Sequence, residues 1–151
     1  MPCATILHAA VSGGHNHIVK WILEYVDQVD IDCMAYLWCL CPSTHMQLLH
    51  YGEAWRPSRC AMPLYMALAS GAESLAKMLM SHGAVWDRGF SFTGGMTGLH
   101  MMAANGMTDL INWIADRAPA AARRNRLHDW PDDWGRSSLH YATFAAVTRT
   151  G

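Results

Sequence analysis

One short pattern recurs along the chain and limits its fold more than any other feature. Residues 5–23 align without a gap on residues 97–115. The aligned pairs are Thr5 and Thr97, Leu7 and Leu99, His8 and His100, Gly14 and Gly106, Ile18 and Leu110, and Val19 and Ile111. A unit that repeats in this way predicts a stack of similar units, because each one buries its apolar face against its neighbours.

The copy at residues 97–114 predicts two short helices joined by a tight turn. Gly106 stands where a helix ends in a left-handed conformation, for which glycine is preferred. Thr108-Asp109 can start the next helix, in which Leu110, Ile111 and Ile114 share one face at helical spacing. The apolar faces of such a hairpin are too large to be buried within it, so we expect it to be stacked.

Two further copies complete the pattern. Met62-Pro-Leu-Tyr65 opens the copy that runs to Gly83-Ala84, and Gly135-Arg-Ser-Ser-Leu-His140 opens the last. Together the four copies resemble the ankyrin repeat family, whose unit of about 33 residues reads T-P-L-H-x-A, then G-H, then two apolar pairs and G-A. The resemblance implies an all-α fold, an ankyrin-repeat solenoid of stacked helix-turn-helix units with connecting hairpins or loops.

The spacing of the copies predicts one domain over residues 1–151, with repeats of unequal length. The predicted boundaries are 3–29, 30–57, 58–92, 93–131 and a partial fifth repeat at 132–151. In the second repeat the residues from Cys33 to Leu40 are expected to form the first helix, although they lack the Thr-Pro-Leu-His pattern. No polar capping helix is evident at either end, so the chain is either a fragment or covered by another protein there.

Three pairs share a hydroxyl side chain and a histidine three residues later: Thr5 with His8, Thr97 with His100, and Ser137 with His140. The resemblance implies a structural clasp in which these side chains hydrogen-bond each other and the backbone at the helix start. We prefer this interpretation to an acid–base or ligand role. The third repeat has Met62 and Tyr65 at these positions, so its first helix is expected to be held less firmly by polar contacts.

Composition favours a contact surface and disfavours nucleic acid. Charged residues make up only 15% of the chain and hydrophobic residues 52%, including 11 Met and 7 Trp; exposed apolar patches usually mark interaction sites. A net charge of −1 gives no basic field, and Arg123 to Arg126, with Asp129, Asp132 and Asp133 after them, predict a solvated mixed-charge loop. Without a predicted membrane span or signal peptide, we expect an intracellular protein, either soluble or peripherally attached through a protein complex.

The second repeat concentrates residues that could bind a metal: Cys39, Cys41, His45, His50 and Cys60. The spacing lacks the paired short intervals of structural zinc sites, so buried thiols are the preferred interpretation. A metal-binding or redox protein stays as an alternative from another class. No catalytic or phosphate-binding motif is present, and we expect no enzyme activity, no cofactor and no small-molecule substrate.

The tryptophans divide into two groups. Trp21 and Trp113 are predicted to pack between stacked repeats, and Trp38 in the core, whereas the others fall in connections. The resemblance implies that partners bind at hairpin tips and at positions late in each first helix. The predicted partner-binding residues are Arg59, Ser70, Trp86, Met96, Asn105, Trp130, Asp133, Trp134, Arg136 and Phe144. Alternatively, the tryptophans of the connections fold back as loop anchors.

The sequence therefore predicts a protein–protein interaction module without catalysis. We prefer an accessory or scaffolding subunit of a larger protein assembly, because obligate interfaces are large and apolar. The alternative within this class is a freestanding adaptor or regulator that binds a protein partner reversibly.

Overall fold

A computed structural model of the chain describes residues 5–36, 60–88, 95–117 and 129–150. These residues form seven helices and one pair of short strands, each of two residues. The helical content confirms the all-α prediction. The helices are α1 (Ile6–Ser12), α2 (Asn16–Tyr25), α3 (Pro63–Ala69), α4 (Glu73–Ser81), α5 (Gly98–Asn105), α6 (Thr108–Arg117) and α7 (Ser138–Thr150). The strands are β1 (Ala35–Tyr36) and β2 (Cys60–Ala61). The chain divides into two compact units, Met1–Trp86 and Asp87–Gly151.

Glycines and caps set the ends of the helices as the sequence predicts. Gly106 ends α5 in the left-handed conformation, with φ of 66°. Thr5 and Thr97 cap α1 and α5 through their side chains. Met62 stands at the N-cap of α3 and makes no side-chain capping bond, although Pro63 directly after it suits the first helical turn.

In the first unit two helical hairpins pack side by side. Helix α1 contacts α2 and α3, while α4 contacts α3 and α2. The Asn16 side-chain amide donates to the Ser74 hydroxyl across the pair, at 3.1 Å. The core between these helices consists of Leu7, Val11, Val19, Ile22, Leu64, Leu68, Leu75 and Leu79, all nearly inaccessible to solvent. Burial of this apolar surface stabilises the stacked pair.

The predicted second repeat differs from expectation. Ala35 and Tyr36 pair antiparallel with Ala61 and Cys60, so the first helix predicted within residues 33–40 does not include Ala35 and Tyr36. Without a Thr–His clasp the sequence offers no cap for a helix here, and the strand pair supplies backbone partners instead. The rest of the predicted repeat, residues 37–59, lies outside the described residues.

The second unit is built around α5. This helix packs against α6 and α7, and the core includes Met101, Met102, Leu110, Ile114 and Tyr141. Methionines fill much of this core because an unbranched thioether adapts to irregular gaps. Within the described segments of the chain, no helix has both the length and the apolar character needed to cross a membrane.

The prediction that Trp21 packs between repeats is wrong, since 58% of this residue is exposed. Its ring lies against that of Tyr25, with centroids 5.9 Å apart. Trp113 on α6 is half-buried, and the Arg117 guanidinium lies 4.7 Å from its ring centroid. Trp38 lies outside the described residues.

Candidate protein-binding surface

A tight corner before α7 is built around the carboxylate of Asp132, which is only 5% exposed. Its Oδ1 accepts from the backbone N–H groups of Trp134 and Arg136, both at 2.9 Å. Its Oδ2 accepts from Arg136 Nε at 3.1 Å and from the Tyr141 hydroxyl. Both carboxylate oxygens are therefore satisfied by groups that follow Asp132 in the chain, and the corner is fixed in one conformation.

The charges of this corner reinforce each other. Burial alone would raise the pKa of Asp132, but hydrogen bonds from Tyr141, Arg136 and Trp134 and the positive charge of Arg136 outweigh it and lower that pKa. Burial, and then the Asp132 carboxylate, raise the pKa of Tyr141. Asp132 is thus ionised and Tyr141 protonated at neutral pH, which is the arrangement that their hydrogen bond requires.

The corner presents two tryptophan side chains outward, with the half-buried Arg136 beside one of them. Trp134 is 51% exposed and Trp130 is 40% exposed. The Arg136 guanidinium lies 5.1 Å from the ring centroid of Trp134 and 5.1 Å from that of Tyr141. We call Trp130, Asp133, Trp134 and Arg136 the tip surface.

Gly95 closes the other side of the tip surface. Its φ is +76°, and a Cβ at this position would lie 2.8 Å from the backbone nitrogen of Asp133 and closer still to the carboxylate. Only glycine permits both the positive φ and this close approach. The turn before α5 and the corner before α7 therefore touch backbone to backbone.

The three hydroxyl–histidine pairs share two local hydrogen bonds. The hydroxyl oxygen lies 2.7 Å from the imidazole Nδ1 in Thr5–His8, 2.8 Å in Thr97–His100 and 2.9 Å in Ser137–His140. In each pair the backbone N–H of the first residue also donates to Nδ1. Since Nδ1 accepts, each neutral imidazole carries its proton on Nε2.

The clasp of His100 is also bonded to the next repeat. Its Nε2 donates to the Arg136 carbonyl at 3.0 Å, and its ring meets that of Tyr141 edge to face at 5.6 Å. Burial lowers the pKa of His100, although the Arg136 carbonyl and the Asp132 carboxylate act in the opposite direction. The clasp of α5 thus supports the corner that carries the tip surface.

The predicted partner-binding residues fall into three groups. Trp130, Asp133, Trp134 and Arg136 lie together in the corner, and Phe144 is 59% exposed on α7. Ser70 and Asn105 are half-buried and bond carbonyls of their own helices, at Ala67 and Met101. Trp86 is half-buried, and Arg59 lies outside the described residues.

Met96 needs a correction, because it is 1% exposed and cannot offer a partner its side chain. Directly before the Thr97 cap, its flexible apolar side chain is buried in the core of the unit. The prediction that Asp132 lies in a solvated loop is also wrong, because this residue is only 5% exposed. An aspartate followed by Gly135 and by donors two and four residues later is the signal that could have revealed this turn.

The possible metal ligands of the second repeat stay untested. Cys39, Cys41, His45 and His50 lie outside the described residues, and Cys60 is described only as part of β2. Among the residues that are described, no three His, Cys, Asp or Glu side chains come together in a way that could hold a metal ion.

Comparison with known proteins agrees with the described geometry. No curated protein sequence matches the chain. Residues 4–35 match the family model of the ankyrin repeat. The match covers α1 and α2 with their Thr5–His8 clasp, which is the clasp that recurs at α5 and α7. The first helical hairpin is therefore similar to an ankyrin repeat, and ankyrin repeats are generally modules for protein–protein interaction.

Proposed function

We propose that this protein is a non-catalytic interaction module that serves as an accessory or scaffolding subunit of a larger protein assembly. The observation that carries the proposal is the tip surface, where Trp130, Trp134 and Arg136 are presented on a corner fixed by buried Asp132. Tryptophan and arginine are the residue types most enriched among binding hot spots. No cofactor, nucleic acid or small-molecule substrate enters the proposal.

The corner is suited to binding because it is already ordered. The Asp132 hydrogen bonds hold the backbone of Trp134 and Arg136, and the guanidinium is stacked between two rings. A partner that docks here immobilises few additional side chains, so less conformational entropy opposes association. Phe144 on α7, the helix-end residues Ser70 and Asn105, and Trp86 and Arg59 stay in the proposal as further contacts.

Exposed apolar side chains outside the corner favour a subunit over an adaptor. Trp21, Tyr25, Leu139 and Val147 are each at least 58% exposed. Only 15% of the residues are charged, so few charges interrupt the apolar surface. Permanent interfaces are larger and more apolar than transient ones.

Size fractionation of native cell extract distinguishes the two roles. If the protein is a subunit, it elutes only with a large assembly, at constant stoichiometry with that assembly. A substantial pool at the mass of the isolated chain, in exchange with the bound pool, would instead establish the adaptor role.

The tip surface is tested with matched tryptophan variants. Trp134→Ala is expected to reduce the amount of co-purified partner at least tenfold, about the effect of a hot-spot residue. Trp21→Ala tests the competing site, because Trp21 is 58% exposed against 51% for Trp134 and lies on α2 in the other unit. Loss of the partner with Trp21→Ala and not with Trp134→Ala would refute the tip surface as the binding site.

A further inference from the structure

His100 lies at the contact between α5 and the corner that carries the tip surface. Its imidazole is 0% exposed and is bonded on both sides of the ring. Nδ1 accepts from the Thr97 backbone N–H at 3.1 Å, and Nε2 donates to the Arg136 carbonyl at 3.0 Å. The neutral ring with its proton on Nε2 satisfies both bonds at once. His100 therefore joins the cap of α5 to the corner only in its neutral form.

The closed contact does not accommodate a second proton on His100. That proton binds Nδ1, where it can still point at the Thr97 hydroxyl oxygen but faces the Thr97 backbone N–H. Thr97 is 1% exposed, so water cannot replace the acceptor that its N–H loses. Protonation also places a positive charge on a ring that is closed off from solvent. Both consequences favour a state in which the contact is open.

Two charged groups act on the imidazole, and both belong to the corner. Burial lowers the pKa of His100, the Asp132 carboxylate raises it, and the Arg136 guanidinium lowers it. The carboxylate already accepts from Tyr141, from Arg136 and from two backbone N–H groups, so its charge is largely engaged. The other charged or titratable side chains that the structure describes on α6, the corner and α7 are exposed; they are Asp109, Asp116, Arg117, Asp129, Asp133 and His140.

The groups that His100 touches are those that hold Asp132. Arg136, whose carbonyl accepts from Nε2, donates its own backbone N–H and Nε to the carboxylate. Tyr141, whose ring meets the imidazole edge to face, donates its hydroxyl to the same carboxylate. Loss of the His100 contact therefore removes the support of α5 from the corner at its two anchoring residues.

We propose that His100 is a proton switch for the corner: protonation of its imidazole releases the corner from α5 and thereby disorders the tip surface. In the open corner the imidazole reaches solvent and regains its ordinary pKa of about 6.5. The open state thus binds a proton at higher pH than the closed state, so opening becomes more favourable as pH falls below about 6.5. The consequence for a partner, weaker binding in acid, rests on the proposed function of the tip surface.

Hydrogen–deuterium exchange on the full chain tests the switch without any partner. Peptides that contain Trp134 and Arg136 report the corner, and peptides of α6 report the rest of the unit. Wild type and His100→Gln are compared at the same pH, so the intrinsic pH dependence of amide exchange cancels. The exposed imidazole limits the effect to about tenfold between pH 7.5 and pH 5.5.

We expect exchange of the corner amides to rise about fivefold to tenfold more in wild type than in His100→Gln over this interval. The corner amides should also be less protected than those of α6 at both pH values, because the corner opens without unfolding the unit. His100→Asn, a second side chain that does not titrate, should behave like His100→Gln. Circular dichroism verifies that both variants are folded.

Nuclear magnetic resonance on the wild type gives a test that needs no variant. The amide signals of Trp134 and Arg136 should change with the same midpoint pH as the His100 imidazole.

Three results would overturn the proposal. They are an equal rise of corner exchange in wild type and the folded variants, equal protection of the corner and α6, and corner amide signals that do not follow the His100 titration. The partner experiment with Trp134→Ala is performed at neutral pH, so it can fail or succeed independently of the exchange result.

Discussion

The clasps of α5 and α7 share two local hydrogen bonds in different surroundings. Thr97 and His100 are 1% and 0% exposed, whereas Ser137 is half-buried and His140 is exposed. His100 also donates to the carbonyl of Arg136, which is 36 residues away. The four residues from the hydroxyl to the histidine are therefore enough to form the clasp, and burial by a neighbouring repeat decides how much stability it contributes.

The contact between the two repeats depends most on Asp132, so Asp132→Ala should have the largest effect. The substitution leaves the Arg136 charge and several donors without their acceptor. We expect the free energy of unfolding to fall by about 3 kcal/mol, measured by urea denaturation at pH 7.

Asp133→Ala is the matched control, because the neighbouring Asp133 is exposed. We expect it to change stability by less than about 0.5 kcal/mol. Equal losses in the two variants would mean that the buried hydrogen bonds of Asp132 contribute no more than a surface charge.

Replacing each histidine tests the comparison directly. His100→Ala removes two buried hydrogen-bonding groups and the contact with Tyr141, so we expect a loss of about 2–3 kcal/mol. His140→Ala removes an exposed clasp and should cost about 0.5–1 kcal/mol. The same denaturation assay measures both, and a His140 loss as large as that of His100 would contradict the role assigned to burial.

Alanine substitution of two glycines distinguishes the cost of backbone strain from the cost of a steric clash between the repeats. Gly95 and Gly135 both have φ of +76°, but only Gly95 would bring a Cβ against Asp133. We expect Gly135→Ala to cost about 1 kcal/mol and Gly95→Ala about twice as much. Thermal denaturation of both variants measures the difference, and equal losses would show that the turn can move away from Asp133.

The smallest expected effect concerns pH. Burial lowers the pKa of folded His100, while in the unfolded chain it stays near its ordinary value of about 6.5. The unfolded chain therefore binds a proton at higher pH, and stability falls as pH drops below about 6.5 and continues to fall to the folded pKa. Protonation of Nδ1 would also remove the acceptor for the Thr97 backbone N–H.

The urea midpoint at pH 7.5 and pH 5.5 tests this dependence. Between pH 7.5 and pH 5.5, the free energy of unfolding of the wild type should fall by about 1 kcal/mol more than that of His100→Gln. An identical response of wild type and His100→Gln would show that His100 does not titrate in this interval.

Much of the local structure could be predicted from short patterns. The Thr-x-x-His spacing places the caps of α1 and α5, and Gly106 ends α5 where the pattern predicts. Helical spacing correctly marked Leu110 and Ile114 as the buried face of α6. These features depend on residues within one or two helical turns, so the chain encodes them without reference to its neighbours.

The tip surface and the Asp132 carboxylate that orders it were harder to predict. The aromatic residues of the tip surface could be named from their place in the connections, but the carboxylate that orders them could not. Asp132 and Asp133 are adjacent acids in the same loop, and only the position of Tyr141 distinguishes the buried one. The burial of Trp21 and Met96 was also predicted wrongly. Trp21 was expected to be packed and is exposed, whereas Met96 was expected to contact a partner and is buried.

Capped helical hairpins and the repeated clasp follow from the amino-acid sequence, because caps, glycine turns and apolar periodicity act over a few residues. The packing of α1–α2 on α3–α4, the burial of Asp132 and the exposure of Leu139 follow from the folded structure. Burial depends on which elements become neighbours, and residues far apart in the chain determine that together.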